Sequence, residues 1–100
     1  MIARAFILAG FASLATPALA TVATGADYVC TDGTRLRALF LTPRGGSPIV
    51  HIVIDGNKIT LPEVKSADGG RYANSEMEFW IRGKEAKLTR AGRSETCQSK

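Results

Sequence analysis

The sequence predicts an all-β domain, a small antiparallel β-barrel of about eight strands closed by one disulfide. Three observations carry that prediction. Turn-forming residues recur at short intervals from Gly33 to Gly92. The runs between them are β-prone and alternate apolar with polar residues at period two, and no stretch of eleven residues keeps a helical spacing. Two cysteines, Cys30 and Cys97, lie near the two ends of this β-prone region.

Taken in order, the first strands are expected over residues 27–30 and 34–41, on either side of the turn at Gly33. The tract Pro43-Arg44-Gly45-Gly46-Ser47-Pro48 then separates them from the clearest pair, 48–55 and 57–61. Asp55-Gly56-Asn57 joins that pair as a Gly-containing turn of hairpin type, so the two strands are antiparallel. Val50, Ile52 and Ile54 share one face of the first, and Ile49, His51 and Val53 share the other. Pro62 reads as punctuation after the second. Beyond Asp68-Gly69-Gly70 a short strand is expected over 71–73. In 76–82, Met77, Phe79 and Ile81 face the core, while Glu76, Glu78, Trp80 and Arg82 face outward. Gly83-Lys84 turns the chain into 85–90, where Ala86 and Leu88 point inward, and a last strand lies near 94–97. So many strands in so short a chain suit a small barrel or sandwich, which limits exposed edges by closing on itself.

The first twenty residues do not follow this pattern. Fifteen of them are apolar, with one cation at Arg4, an apolar run over 5–14, Pro17, and the small-residue site Ala18-Leu19-Ala20. These are the three parts of a secretory signal peptide, residues 1–20, with cleavage after Ala20. A transmembrane anchor is the competing reading. Its apolar run falls short of the ~20 residues that span a bilayer, and Pro17 sits where the helix would have to continue. Thr21 rather than a cysteine follows the cleavage site, so no lipid attachment is expected there. Residues 21–100 are therefore expected to form one exported domain, in a bacterial host periplasmic and without a stable membrane anchor.

A chain of this size buries only about 60% of its unfolded surface, so a covalent staple is expected. Cys30 and Cys97 can supply it, because an oxidising compartment favours a disulfide and two cysteines allow one pairing. A redox role for the thiols would call for a short C-x-x-C spacing, which the chain lacks.

Composition excludes more functions than it suggests. Without the leader the chain carries 12 basic and 9 acidic residues, a net charge of +3. The cations are scattered singly among acids rather than gathered in a stripe with exposed aromatics, so nucleic acid is not an expected partner. A zinc site needs three or four clustered ligands, whereas there is one histidine, His51, on an alternating strand. No metal or cofactor is expected. There is no G-x-S-x-G signature, and Glu76 and Glu78 lie two apart on an exposed face. The chain is not expected to be an enzyme.

Two exposed features remain, the turn-rich stretch Ser66-Ala67-Asp68-Gly69-Gly70-Arg71-Tyr72 and the segment around Trp80 and Arg82. One reading is structural: the loop joins two strands and Trp80 packs beneath it. The other is a loop with paired glycines, a rigid cation and an aromatic nearby, suited to entering a cleft in a partner.

At these residues the chain resembles the inhibitors of c-type lysozyme, known in membrane-bound (MliC) and periplasmic (PliC) forms, and is most like the periplasmic form. The family carries a first motif Ser-Gly-x-x-Tyr and a second motif Tyr-x-x-x-Thr/Ser-Lys-Gly, often with Phe-Trp inside it. Here the first reads Asp68-Gly69-Gly70-Arg71-Tyr72 and the second Met77-Glu78-Phe79-Trp80-Ile81-Arg82-Gly83, continuing Lys84-Glu85-Ala86-Lys87-Leu88. Tyr28-Val29-Cys30 and the late Cys97 also look like the family's ends. The resemblance implies a non-enzymatic protein that docks on c-type lysozyme and pushes the 66–72 loop into the active-site cleft, protecting peptidoglycan from host attack. Ser66, Asp68, Gly69, Gly70, Tyr72 and Arg82 would then be the lysozyme-binding residues. The chain departs from the motifs where Asp68 replaces the serine, Arg82 the lysine, and Met77 and Ile81 the tyrosine and threonine. Arg82 keeps the charge and can bridge a carboxylate. An ionised Asp68 beside two acids calls for a proton, for a bond to Arg71 or Arg82, or for a docking in which Ser66 or the backbone makes the contact. The alternative function on the same barrel is a non-inhibitory envelope module that binds a glycan or another protein.

Overall fold

The computed structural model describes residues 23–100, and the leader read at 1–20 lies outside them. Eight strands follow one another: β1 (Thr24–Cys30), β2 (Arg35–Leu41), β3 (Ile49–Ile54), β4 (Asn57–Val64), β5 (Gly70–Ala73), β6 (Met77–Arg82), β7 (Glu85–Arg90) and β8 (Arg93–Ser99). Each pairs antiparallel with the next, and β8 returns to β1, so the sheet is a closed barrel in chain order. The expected fold class is the observed one.

The turns follow from local chemistry. Between β3 and β4, Asp55 and Gly56 both take positive φ, 53° and 79°, the backbone of a two-residue hairpin whose twist matches that of its strands. Alternation then decides the core. Val50, Ile52, Ile54, Leu61, Phe79 and Leu88 are buried inside the barrel, and Tyr28 meets Phe79 edge to face at 5.2 Å between ring centroids. Burying such side chains contributes roughly 1.5–3 kcal/mol each.

The structure extends three of the expected strands and corrects one reading. β1 begins three residues earlier than expected, β8 runs on to Ser99, and β4 continues through Pro62 to Val64. Pro62 is therefore inside a strand, paired with Ile49, and is not a break. The Glu63 N–H donates to the Pro48 carbonyl on the β3 side. Successive N–H groups along a strand point to opposite sides, so position 62 faces away from β3, where β4 meets β5 only from Glu63 onward. No ladder bond is lost there, so the strand accepts the proline.

Closure rests on a short ladder. β1 and β8 align over three residue pairs, the last of them Cys30 with Cys97, and a disulfide joins those two. The bond lies at the point where the first and last strands meet.

Up-and-down order sends successive turns to opposite ends of the barrel. One end collects the 42–48 loop, the 65–69 loop and the Gly83-Lys84 turn. The other collects the turns at 31–34, 55–56, 74–76 and 91–92.

Candidate functional site

The 65–69 loop crosses from β4 to β5 where those strands share only two residue pairs, Glu63 with Tyr72 and Val64 with Arg71. With so little ladder, its shape depends on other contacts. Gly69 sits at φ +70°, and a Cβ built there would lie 2.1 Å from the Ile81 carbonyl oxygen of β6. Only glycine allows the loop backbone to lie that close to the strand. The Trp80 indole N–H donates to the Asp68 carbonyl at 3.0 Å. The Ser66 hydroxyl is placed to donate to that same carbonyl at 2.6 Å and to the Gly69 carbonyl at 3.0 Å. Two loop carbonyls thereby accept hydrogen bonds from side chains, which ties the loop to itself and to β6.

Charge gathers around Trp80. Residues 71 and 80 are register partners across β5 and β6, and 82 follows two positions on, so period two brings all three side chains to one outer face. The guanidinium carbons of Arg71 and Arg82 each lie 5.3 Å from the Trp80 ring centroid, within cation–π range. Arg71 is tied to Glu78 through its Nε. Arg82 reaches Asp68 instead, Nη2 to Oδ2 at 3.5 Å, with both side chains about three-fifths exposed, at 61% and 62%. Of the two partners considered for Asp68, the structure selects Arg82.

Ser66, Asp68, Gly69 and Arg82 are thus brought together at one end of the barrel. Gly70 opens β5 and is half-buried. Tyr72 goes elsewhere: it is 8% exposed and belongs to the core cluster, with its ring 5.7 Å from that of Phe40. Burial, and secondarily the charge of Glu63, push its hydroxyl pKa up. Its place in the loop is that of an inward anchor. The residue missing from the expected set is Trp80. Alternation shows that it faces outward, but its bond to Asp68 depends on how far β5 and its loop slide along β6, and no single-strand pattern reports that register.

The remaining candidates do not join this site. His51 lies mid-strand with Nδ1 2.7 Å from the Thr60 hydroxyl. At the opposite end, Asp32 is held down to about 2, first by the Thr34 backbone N–H and then by a hydrogen bond with Glu95, whose own carboxyl that bond raises. Among the described residues no group of three or more His, Cys, Asp or Glu side chains is placed to hold a metal ion, and no helix is long and apolar enough to cross a membrane.

The profile of the family described as membrane-bound lysozyme-inhibitor of c-type lysozyme matches residues 28–96. A membrane-bound lysozyme inhibitor of C-type lysozyme from Yersinia enterocolitica is 39% identical over 41 residues, which are 41% of this chain and 35% of that protein. Its counterpart from Pseudomonas aeruginosa is 33% identical over 62 residues, 62% of this chain and 49% of that protein. The chain thus spans about half or less of the length of these relatives. Among solved structures, Pseudomonas aeruginosa MliC in complex with hen egg white lysozyme is similar at a TM-score of 0.68 and 26% identity, covering 93% of this chain and 99% of that one. The periplasmic lysozyme inhibitor PliC of Salmonella typhimurium gives 0.63 at 15% identity, covering 78% of this chain and 98% of that one, a likeness of fold alone. The matched span runs from Tyr28 through both motif segments to Thr96, so it takes in the loop, Trp80 and Arg82. The chain belongs to the family of membrane-bound lysozyme-inhibitors of c-type lysozyme.

Proposed function

We propose that this protein is an exported, non-enzymatic inhibitor of c-type lysozyme that inserts the 66–72 loop into the active-site cleft and sets Arg82 against the catalytic carboxylates. The observation that carries the reading is the exposed Asp68–Arg82 head on a loop whose backbone is fixed from beneath. A loop already held in one shape loses little entropy on docking. A glycosidase of this kind works with two carboxyl groups flanking the scissile bond, and a guanidinium is the side chain best matched to a carboxylate in charge and in fork geometry. Ser66, with its hydroxyl turned to the loop's own carbonyls, supports the loop from inside, and Tyr72 anchors its far end in the core. The likeness to MliC, a protein solved in complex with hen egg white lysozyme, supports the choice of partner.

In the same reading the leader at 1–20 directs the chain to the periplasm and is removed after Ala20. There the mature domain shields peptidoglycan from host lysozyme. Intact mass of the exported protein checks both the cleavage and the disulfide.

The test of function is an assay of lysozyme activity with purified residues 21–100 over a range up to micromolar excess. The expected result is inhibition that weakens as the peptidoglycan substrate concentration is raised. If no c-type lysozyme is inhibited at that excess, the reading is wrong.

A further inference from the structure

We infer that Asp68 and Arg82 form a matched acceptor and donor pair for a cleft whose general acid still holds its proton: Asp68 accepts a hydrogen bond from the protonated carboxyl, Arg82 pairs with the ionised one, and complex formation therefore takes up a proton. The inference rests on the inhibitor reading above and adds which protonation state of the partner this chain selects.

The geometry supplies the parts. The Asp68 carbonyl is committed to Trp80 and Ser66, which fixes the residue's backbone and leaves its carboxylate to be disposed separately. That carboxylate is 62% exposed. Its separation from Arg82, 3.5 Å, is longer than the roughly 2.7–2.9 Å of a committed charge-assisted bond. Each partner keeps unused capacity, since a guanidinium offers five N–H donors and a carboxylate about four lone-pair sites. The other charged groups that the strand order brings to this end of the barrel are Arg71 from β5, already tied to Glu78, and Glu63, Lys65 and Lys84 from the end of β4, the loop and the next turn. None of these is placed in an ion pair with Asp68 among the described residues.

The partner's chemistry completes the argument. In a lysozyme-type cleft one carboxyl is a general acid whose pKa is raised to about 6, so that it keeps its proton below that pH, and the other is ionised. Arg82 satisfies the ionised group. A carboxylate offers only acceptor oxygens, so the favourable contact of Asp68 is with the group that carries a proton. If that acid ionises, two carboxylates meet with no proton between them, and the contact turns repulsive. Above the acid's pKa, binding must therefore draw one proton from solvent onto the partner's carboxyl for each complex formed. A serine at position 68, as in the family motif, both donates and accepts and carries no such linkage. The departure from the motif is thus a device that ties inhibition to the catalytically competent form of the target.

The experiment is isothermal titration of mature wild-type protein into hen egg white lysozyme, from about pH 5 to about pH 8, in buffers of different ionisation heat. The expected result is uptake of close to one proton per complex at the upper end, with Kd rising by up to about tenfold per pH unit above about pH 6. In Asp68→Asn and Asp68→Ser the uptake should vanish and the profile should flatten, with the midpoint of thermal unfolding unchanged. Wild-type binding without proton uptake overturns the inference, and so does equal uptake in Asp68→Asn. Absence of a complex at every pH, or a complex that chitotriose does not displace, overturns the inhibitor reading itself.

Discussion

The barrel is thinnest at two places, and different physics holds each. Between β1 and β8 only three residue pairs align, and a disulfide locks the last of them. Between β4 and β5 only two pairs align, and no covalent bond backs them. There the chain is held by Tyr72 in the core, by Gly69 against the β6 backbone and by the Trp80 and Ser66 bonds to the Asp68 carbonyl. The first seam is about stability, because it closes the sheet and removes its edges. The second is about presentation, because a shortened ladder frees a loop whose carbonyls are then satisfied by side chains. Covalent closure at one seam lets the other be short without opening the barrel.

Cutting the stapled seam should have the largest effect. Replacing Cys30 and Cys97 together by serine releases a closed loop of 67 residues in sequence separation, and chain entropy puts the loss at about 4 kcal/mol. Against a total of about 5–15 kcal/mol for a folded domain that is a large share of the stability. Urea unfolding of the double variant should therefore show a collapsed or absent native baseline, while the oxidised wild type unfolds in one transition. A midpoint that hardly moves would mean that the three-pair ladder holds the seam unaided.

The second seam should respond to a much smaller change, with a different readout. Gly69→Ala places a methyl 2.1 Å from the Ile81 carbonyl at a φ of +70°. The left-handed conformation alone costs about 1–2 kcal/mol, and the contact forces the loop to lift from β6. Thermal unfolding should fall by several degrees, since 1 kcal/mol moves a domain of this size by roughly 4–8 °C. Trp80 emission should shift as its bond to Asp68 is lost, and lysozyme inhibition should fall at least tenfold, by about 1.4 kcal/mol. If emission and inhibition stay as in wild type, the loop is not held in the way described.

The two seams also differ in how far they can be read from sequence. Cys30 and Cys97, their separation and the absence of any other cysteine are enough to infer the closing bond, because two cysteines leave one choice. The inward faces of β6 and β7 are equally legible, since period two places Phe79 and Leu88 without knowledge of any neighbour, whereas β3 is apolar on both faces and its inward set, Val50, Ile52 and Ile54, shows only in the fold. The loop is different. That Trp80 faces outward is local, but that it meets Asp68 is a matter of register between elements, and so is the choice of Arg82 over Arg71 as the partner of Asp68. Pro62 failed for the same kind of reason: whether a proline ends a strand depends on which side its missing N–H faces, and that is set by the neighbouring ladders.

The smallest expected change in stability belongs to Arg82→Ala, and it separates the two seams most cleanly. Arg82 and Asp68 are 61% and 62% exposed, and a pair so open to solvent contributes roughly 0–1 kcal/mol. The loop keeps its other supports, none of which uses the guanidinium as a hydrogen-bond donor: Gly69 on β6, Ser66 and Trp80 on the Asp68 carbonyl, Tyr72 in the core. Urea midpoints of the variant and the wild type should therefore coincide to within about 0.5 kcal/mol. Inhibition should behave otherwise. In the proposed docking the cation would face an ionised carboxylate away from water, where loss of one partner of a charge pair costs about 2–5 kcal/mol, and Asp68 would lose the neighbour that offsets its own charge. A fall in affinity of at least thirtyfold with unchanged stability is the expected outcome, and Arg82→Lys, which restores the residue of the family motif, should recover most of it. An Arg82→Ala protein that inhibits as well as wild type would leave the clamped loop standing as a structural joint and remove the cation from the proposed contact.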